Sequence, residues 1–265
     1  MLSINHVKGA VFDVDETLLD TGSDLRTNPK GGLHERARLQ ATLEAGQRHH
    51  IPELLSLTME ESTRAFLEAP VHTLEATIWH VLYTKGVVAT DKAELGDPLL
   101  QEIATRKDEL FEDLLRNEGK PYPGAVDFVH WLSGNGLQGR LAIASSAIRR
   151  DIDIFLEMTG LDKYFPPERI ISKADITHAK PNPEAFDKAF LTLELLESDR
   201  GRVLAFEDNP RGIMSAKAAG LFTCAITTVL PREELAALTV PPDLIAASYD
   251  EFRELLSKPS TIVAR

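Results

Sequence analysis

Apolar runs and amphipathic segments follow one another along most of the chain. Residues 7–13 form an apolar run that predicts a buried strand, and residues 140–144 form the next run of comparable quality. Further strands are predicted at residues 169–172, 202–206, 222–226 and 244–246. Between them, helical patterns occur at residues 125–133, 149–159, 183–196, 212–219 and 249–257. Because alternating strands and helices are typical of a parallel sheet covered on both faces, we expect an α/β fold.

The stretch between the first two predicted strands has a helical pattern throughout. Helices are predicted at residues 33–50, 58–69, 72–85 and 98–117. Thr58 and Glu61 have the spacing of a capping box at the start of the second helix, and Gly86 would end the third. We therefore expect residues 21–119 to form a helical domain inserted into a core made of residues 1–20 and 120–265.

Two helix and linker boundaries carry specific expectations. Asn182 and Pro183 would be the N-cap and the first residue of the helix predicted at 183–196. Residues 21–32 and 120–124 contain the glycines and prolines expected of the two hinges that join the inserted domain to the core. The tail after Lys258 is expected to be frayed.

Composition narrows the classes of function. The formal net charge of −12 over 265 residues, without a long basic run, argues against non-specific nucleic-acid binding. Cys224 is the single cysteine, so no intrachain disulfide can form and a reducing, cytoplasmic setting is favoured. We expect Cys224 to be buried in its strand. No apolar run approaches the ~20 residues that span a membrane, and no signal peptide fits ahead of the first strand.

Polar side chains follow successive predicted strands where each strand ends. They are Asp13, Asp15 and Thr17 after the first strand, Ser145 and Ser146 after the second, Lys180 in the loop after the third, and Glu207 and Asp208 after the fourth. The carboxyl ends of parallel strands meet at one edge, so we expect one site. Four carboxylates beside one lysine would repel each other unless a hard cation such as Mg²⁺ joined them, together with a small tetrahedral anion.

Each of these residues also has a purely structural interpretation. Ser145 could cap a helix, Lys180 could be a surface lysine, and Glu207 with Asp208 could complement a helix dipole. Their joint occurrence at successive strand ends favours the site.

Four segments resemble, in order, the four motifs of the haloacid dehalogenase superfamily. They are Asp13-Val14-Asp15-Glu16-Thr17, Ala144-Ser145-Ser146, Ala179-Lys180-Pro181 and Phe206-Glu207-Asp208-Asn209. Residues 212–220 resemble the helix after the fourth motif in the capped phosphatase and β-phosphoglucomutase-like subgroup, and residues 21–119 resemble that subgroup's α-helical cap. The resemblance implies a Rossmann-like parallel sheet core and covers residues 7–255.

The resemblance also implies a role for each motif residue. Asp13 would be the nucleophile that forms an aspartyl-phosphate, and Asp15 would protonate the leaving group and then activate water. The phosphoryl group would be bound by Thr17, Ser145, Ser146 and Lys180. The Mg²⁺ ligands would be Asp13, the backbone carbonyl of Asp15, Glu207 and Asp208. The implied reaction is hydrolysis of a small phosphorylated metabolite: a sugar phosphate, phosphoglycolate or a nucleotide-like ester.

Three positions decide between alternatives. Asp15 favours phosphate esters over carbon–halogen bonds, because an alkoxide leaves poorly unless it is protonated. Ile148 stands where β-phosphoglucomutases have a lysine that binds the substrate's second phosphate. Its absence weakens the interpretation as a phosphosugar mutase, although Arg149 or Arg150 could substitute. Glu16 stands where the subgroup usually has glycine.

A catalytically lapsed binding protein on the same fold is a further alternative, and the sequence favours no oligomeric state.

Residues of the inserted domain offer weaker expectations. His34 would approach the active site, and His178, beside Lys180, could line the entrance. Trp79 and Phe66 are expected in the core of the inserted domain. Candidates for contact with the distal end of the substrate are Arg26, Lys30 and Arg36.

Overall fold

A six-stranded parallel sheet organises the first of two units in the chain. Its strands are β1 (Gly9–Phe12), β4 (Leu141–Ala144), β5 (Ile170–Ile171), β6 (Val203–Glu207), β7 (Phe222–Ile226) and β8 (Leu244–Ala246). Their order is β5-β4-β1-β6-β7-β8, so the direction of winding changes beside β1. A separate antiparallel pair joins β2 (Leu19–Asp20) to β3 (Lys120–Pro121). In open α/β sheets, ligands bind where the direction of winding changes, which in this sheet is beside β1.

The computed structural model describes residues 3–23, 28, 30–71 and 73–258. The chain divides into a sheet unit, Met1–Asp20 with Lys120–Arg265, and a helical unit, Thr21–Gly119. Arg26 and the tail after Lys258, both of which carried expectations, lie outside the described residues. Within the described residues, no helix combines the length and the apolar content that crossing a membrane requires.

Helices cover both faces of the sheet. The helices of the sheet unit are α6 (Ala125–Leu132), α7 (Arg149–Thr159), α8 (Glu184–Thr192), α9 (Pro210–Ala218), α10 (Arg232–Ala236) and α11 (Tyr249–Ser257). On one face, Val11 and Ala205 pack against Phe186 and Phe190 of α8. On the other face, aromatic rings dominate, and the Phe12 ring stacks on Phe206 with 4.6 Å between centroids. The Phe206 ring also meets Phe128 of α6 and Phe252 of α11 edge-on.

In the described part of the helical unit, there are four longer helices and one short one. They are α1 (Leu33–Arg48), α2 (Pro52–Leu55), α3 (Met59–Glu68), α4 (Leu74–Thr84) and α5 (Pro98–Glu118). Helix α1 packs along α5, and Leu57, Ala65 and Val81 form part of the buried core. The predicted capping box is confirmed, because Thr58 and Glu61 exchange both hydrogen bonds at the start of α3.

The predicted fold class is confirmed, and most predicted elements lie within two residues of their positions. For the helix predicted at 183–196, the C-terminal end and the N-cap are wrong. It begins at Glu184 with Pro183 as N-cap, and it ends at Thr192 because Glu194 takes a left-handed φ of 55°. Asn182 is not the N-cap, although its side chain accepts a hydrogen bond from the Glu184 N–H at 3.0 Å.

Three predictions about single side chains have different outcomes. Cys224 is fully buried, as predicted, and burial raises the pKa of its thiol. Trp79 is buried in the helical unit and donates its ring N–H to the Thr90 carbonyl. The prediction for Phe66 is wrong: its side chain is 39% exposed, with the Arg38 guanidinium 5.9 Å from its ring centroid.

Candidate active site

The register of the sheet brings the first and last motifs to the same edge. Phe12 pairs with Phe206 across β1 and β6, and Phe12 pairs with Ile143 of β4. The Asp13 N–H donates to the Phe206 carbonyl at 3.0 Å. Asp13 and Glu207 therefore lie side by side at the carboxyl edge, where Glu207 is still the last residue of β6.

Lys180 reaches this edge from the loop before α8. Its ammonium group donates to Asp13 Oδ1 at 2.6 Å, to Glu207 Oε1 at 2.6 Å and to the Ala144 carbonyl at 3.0 Å. The Lys180 side chain is buried, and its ammonium also lies 4.9 Å from the centroid of the Phe186 ring. A buried cation is tolerated only when it is paired in this way.

The site carries more negative charge than its lysine can neutralise. Burial raises the pKa of Asp13 to about 8, against the opposing charge of Lys180, and the charge of Glu207 adds to the rise. Burial also raises the pKa of Asp208 well above its usual range, with Glu207 and Asp13 contributing. The pKa of Lys180 stands above its ordinary value: burial lowers it, but the charges of Asp13 and Glu207 outweigh burial.

Three of these carboxylates could share a metal ion. Asp13, Glu207 and Asp208 each offer an oxygen atom, the three oxygens lie within 4.8 Å of one another, and all three residues are buried. Oxygen ligands from carboxylates suit a hard cation such as Mg²⁺. The unbalanced negative charge and the oxygen-only donor set fit such an ion.

Asp208 is oriented by its neighbours. Thr17 donates its hydroxyl to Asp208 Oδ1 at 3.2 Å, and the Asn209 side chain donates to the same oxygen at 3.3 Å. Thr17 is itself held by the Tyr249 hydroxyl, which donates to the Thr17 carbonyl at 2.8 Å. The other Asp208 oxygen accepts neither of these hydrogen bonds.

Glu207 lies against the start of α9, where only glycine fits. A Cβ atom at Gly212 would lie 1.9 Å from the Glu207 carboxylate carbon and from Oε1. Glu207 Oε2 accepts hydrogen bonds from the Asp208 N–H and from the Asn209 side chain, both at 3.2 Å. Both Glu207 oxygens are thus engaged with donors, which makes this residue an organiser of Lys180 and Asp208.

The loop that carries Lys180 is held by residues that the sequence did not indicate. Arg211 donates from Nε to the Lys180 carbonyl at 3.0 Å and also from Nη2. Ser215 donates to the Asn182 carbonyl at 2.6 Å. On the other side, the Glu184 carboxylate accepts the N–H groups of Thr177 and His178. These contacts are made to backbone groups of the loop. Because every residue has a backbone carbonyl, such contacts leave no recognisable motif in the sequence.

The remaining predicted site residues lie nearby with different exposure. Asp15 is half-buried in the turn after β1, where it forms a β-bridge with Leu19. Ser145 is buried, and its hydroxyl accepts the Ala147 N–H at 3.1 Å, whereas Ser146 is exposed. All eight predicted residues belong to the sheet unit.

Other expected contact residues have local partners. The exposed His178 ring pairs with Glu184 at 3.1 Å, and the His34 ring stacks on Phe111 with 4.0 Å between centroids. Arg36 makes a two-pronged ion pair with Glu118 in the helical unit. Lys30 is exposed.

A doubly wound parallel sheet with a polar cluster at the carboxyl ends of its strands defines the class of Rossmann-like α/β proteins that bind ligands at this edge. A family model described as haloacid dehalogenase-like hydrolase matches residues 7–220, and the chain belongs to that family. This confirms the resemblance of the four motifs.

A curated relative is similar to this chain in sequence, and two solved structures share its fold. A pyrophosphatase PpaX from Anoxybacillus flavithermus is 32% identical over 142 residues, which span 53% of this chain and 62% of that protein. A hydrolase of the same superfamily from Entamoeba histolytica has a similar fold, with a TM-score of 0.70 and 22% identity over 94% of this chain and 97% of that one. CbbY from Rhodobacter sphaeroides has a TM-score of 0.66 and 21% identity over 93% and 96%.

Proposed function

We propose that the protein is a Mg²⁺-dependent phosphatase that hydrolyses a small organic phosphate monoester through an aspartyl-phosphate. The observation that carries this proposal is the buried cluster in which Lys180 bonds both Asp13 and Glu207 while Asp208 lies beside them. Phosphoryl transfer depends on positioning and on neutralising the phosphoryl oxygens, and this cluster supplies fixed charges of both signs for that purpose.

Asp13 is the proposed nucleophile. One of its carboxylate oxygens forms a bond to phosphorus while the ester P–O bond breaks, and Asp15 donates a proton to the departing alkoxide. In the second step, the ionised Asp15 removes a proton from water, which attacks phosphorus and releases Asp13 and inorganic phosphate. Lys180 stays bonded to Asp13 and spreads positive charge over the reacting oxygens.

Small hydrogen-bonding groups would hold the phosphoryl group. Thr17 and Ser145 are buried at the carboxyl edge, and Ser146 follows at the surface. We assign phosphoryl binding to these three residues together with Lys180.

The metal would be held by carboxylates at the carboxyl ends of β1 and β6. Asp13, Asp208 and the backbone carbonyl of Asp15 are the proposed direct ligands. Glu207, whose oxygens already accept hydrogen bonds, would act mainly by holding Lys180 and Asp208 in place. When bound, Mg²⁺ would supply charge neutralisation for the phosphoryl oxygens.

The substrate class is a small phosphorylated metabolite. A sugar phosphate, phosphoglycolate or a nucleotide-like ester fits the proposed chemistry. Pyrophosphate, which is an anhydride and not an ester, is a further candidate because a 32% identical relative is named for its hydrolysis. We propose that the helical unit acts as the cap that excludes water and selects the leaving group. The expected cytoplasmic location stays a prediction.

A phosphosugar mutase is less well supported. Its second phosphate would need a cation after the second motif, where Ile148 is the N-cap of α7. The Arg149 side chain instead bonds Asp153 at 2.8 Å and the Pro167 carbonyl at 3.2 Å. β-Glucose 1-phosphate separates the two reactions: a phosphatase releases phosphate from it, and a mutase forms glucose 6-phosphate.

The test is phosphate release from p-nitrophenyl phosphate and from a panel of sugar phosphates, phosphoglycolate, nucleotides and pyrophosphate. We expect release with MgCl₂, loss of release with EDTA, and at least a ~10³-fold loss in Asp13→Asn. Asp162→Asn, which changes an exposed aspartate of the same unit, is the matched control. Equal, negligible release by wild type and Asp13→Asn on the whole panel would refute the proposal and favour a lapsed binding protein.

A further inference from the structure

Glu16, between Asp15 and Thr17, has a backbone conformation that favours glycine. Its φ is 56°, one of three positive values among the described residues other than glycine. The Glu16 N–H donates to the Leu19 carbonyl at 2.8 Å and closes the turn after β1. Side chains with a Cβ atom resist this conformation, so a glutamate here needs a compensating interaction.

The compensating interaction comes from Tyr122, in the segment that follows β3. The Tyr122 hydroxyl donates to Glu16 Oε2, and the Tyr122 N–H donates to the Leu18 carbonyl at 2.9 Å. The Glu16 carbonyl accepts the Thr228 hydroxyl at 2.6 Å. Glu16 itself is only 6% exposed. Two other parts of the sheet unit therefore hold the turn through side-chain hydroxyls.

Both members of the Glu16–Tyr122 pair are costly when taken alone. A buried carboxylate without a donor is unfavourable, and a half-buried phenol without an acceptor is unfavourable to a lesser degree. Together they satisfy each other, and the hydrogen bond is charge-assisted, which makes it a strong and directional contact. A hydrogen bond of this kind fixes the position of the turn more firmly than glycine would at the same place.

We propose that the Glu16–Tyr122 hydrogen bond positions Asp15 for proton transfer by fixing the turn of residues 15–19. This inference rests on the proposed function, because it takes Asp15 as the acid and base. Glu16 and Tyr122 are positioning residues: they act through the backbone on either side of position 15. The turn is also closed by the Asp15–Leu19 bridge, so a displaced Glu16 moves the backbone that carries Asp15.

Three variants separate the hydrogen bond from the backbone conformation. Tyr122→Phe removes only the donor. Glu16→Asn keeps a residue that tolerates positive φ, but its side chain is too short to reach Tyr122. Glu16→Gln keeps an acceptor of the same length. Tyr164→Phe, which changes a tyrosine elsewhere in the sheet unit, is the matched control.

The first measurement compares leaving groups. An alkyl phosphate such as glycerol 2-phosphate needs a proton on its leaving oxygen, whereas p-nitrophenolate leaves without one. Because Asp15 also activates water in the step common to both substrates, the comparison uses kcat/KM, which reports only on formation of the aspartyl-phosphate. We expect Tyr122→Phe and Glu16→Asn to lower kcat/KM for the alkyl phosphate about tenfold and kcat/KM for p-nitrophenyl phosphate less than about twofold. Glu16→Gln should recover most of the loss, which a merely structural defect would not allow.

The second measurement does not depend on activity. Amide hydrogen exchange of residues 15–19 should be faster in Tyr122→Phe and Glu16→Asn than in wild type, while exchange of the β1 and β6 amides is unchanged. Wild-type exchange in the turn, or an equal loss of kcat/KM on both substrates, would overturn this inference. The proposed function fails separately, when wild type is no more active than Asp13→Asn.

Discussion

Lys180 Nζ lies 2.6 Å from Asp13 Oδ1, although 167 positions separate the two residues along the chain. Neither side chain is more than 8% exposed, and the same ammonium bonds Glu207 at 2.6 Å. The bonds of Lys180 to Asp13 and Glu207 therefore hold distant parts of the chain together and also form the proposed site. Stability measurements on the metal-free protein should consequently report on the site.

Lys180→Met should destabilise the protein and abolish its proposed activity. Removing one partner of a buried ion pair leaves uncompensated charge and typically costs about 3–5 kcal/mol. We expect a loss of this size in the free energy of unfolding, measured by urea denaturation in EDTA at pH 8. The control is Lys188→Met, which removes a half-exposed ion pair with Glu184 and should cost at most about 1 kcal/mol. Equal effects of the two variants would contradict the structure.

Gly212→Ala tests how closely Glu207 approaches α9. The new Cβ would lie 1.9 Å from the Glu207 carboxylate, so Glu207 must move and its bonds to Lys180 and Asp208 must weaken. Overpacking of this kind costs about 1–3 kcal/mol, and we expect a lower melting temperature together with loss of Mg²⁺-dependent phosphate release. Gly201→Ala is the control, since a Cβ there would meet nothing within 4 Å. A Gly212→Ala protein with wild-type stability would refute the close approach.

Strands and long helices could be predicted from the sequence because burial leaves a periodic pattern. Helix α7 was predicted at its observed bounds of Arg149–Thr159. The two-residue strands β2 and β3 were missed, because neither has a period to detect and residues 120–124 have the prolines and glycine of a hinge. The equally short β5 was predicted from its place in the alternation of strands and helices. The helix α8 was predicted to continue to residue 196, because leucines recur at 191, 193, 195 and 196, but the backbone turns at Glu194.

The proposed site was predictable to the extent that its residues fall into motifs. Asp13, Lys180, Glu207 and Asp208 were named from the sequence, and the structure brings them together. Tyr122 and Arg211 were not named as site residues. The Tyr122 hydroxyl donates to the Glu16 carboxylate, and the Arg211 guanidinium donates to the Lys180 carbonyl. Such contacts depend on tertiary position and leave no pattern in a single sequence.

Because of Glu184, the free energy of unfolding should decrease as the pH falls into the acid range. Bonds from Lys188 and from the N–H groups of Thr177 and His178 lower the pKa of Glu184 to about 2. A lowered pKa in the folded state gives stability that is complete above the unfolded pKa, near 4.5, and is lost as the pH falls towards 2. Wild type should therefore exceed Glu184→Gln in urea midpoint at pH 7, and the difference should shrink below pH 4.5.

The same experiment has a matched control within the sheet unit. Glu254→Gln changes an exposed glutamate of α11, and we expect its urea midpoint to follow wild type at every pH. A difference between wild type and Glu184→Gln that grows as the pH falls would contradict the assigned direction of the pKa.

Arg211→Ala should reduce catalysis more than stability. Arg211 is largely exposed, yet two of its guanidinium nitrogens donate to the Lys180 carbonyl, so it anchors the peptide that presents the Lys180 side chain. Without this anchor the ammonium should spend less time between Asp13 and Glu207. We expect kcat for p-nitrophenyl phosphate to fall about tenfold, because a misplaced charge loses part of its effect on the transition state. The melting temperature should change by at most a few degrees, as for most surface substitutions.

Arg211→Lys sharpens this prediction, because a lysine can offer its charge but not the planar pair of donors. We expect Arg211→Lys to recover less than half of the lost kcat if the two-pronged donation matters. Arg253→Ala, which removes an exposed arginine of α11, is the control and should leave kcat unchanged. Full activity in Arg211→Ala would show that the Lys180 loop keeps its position through Ser215 and Glu184 alone.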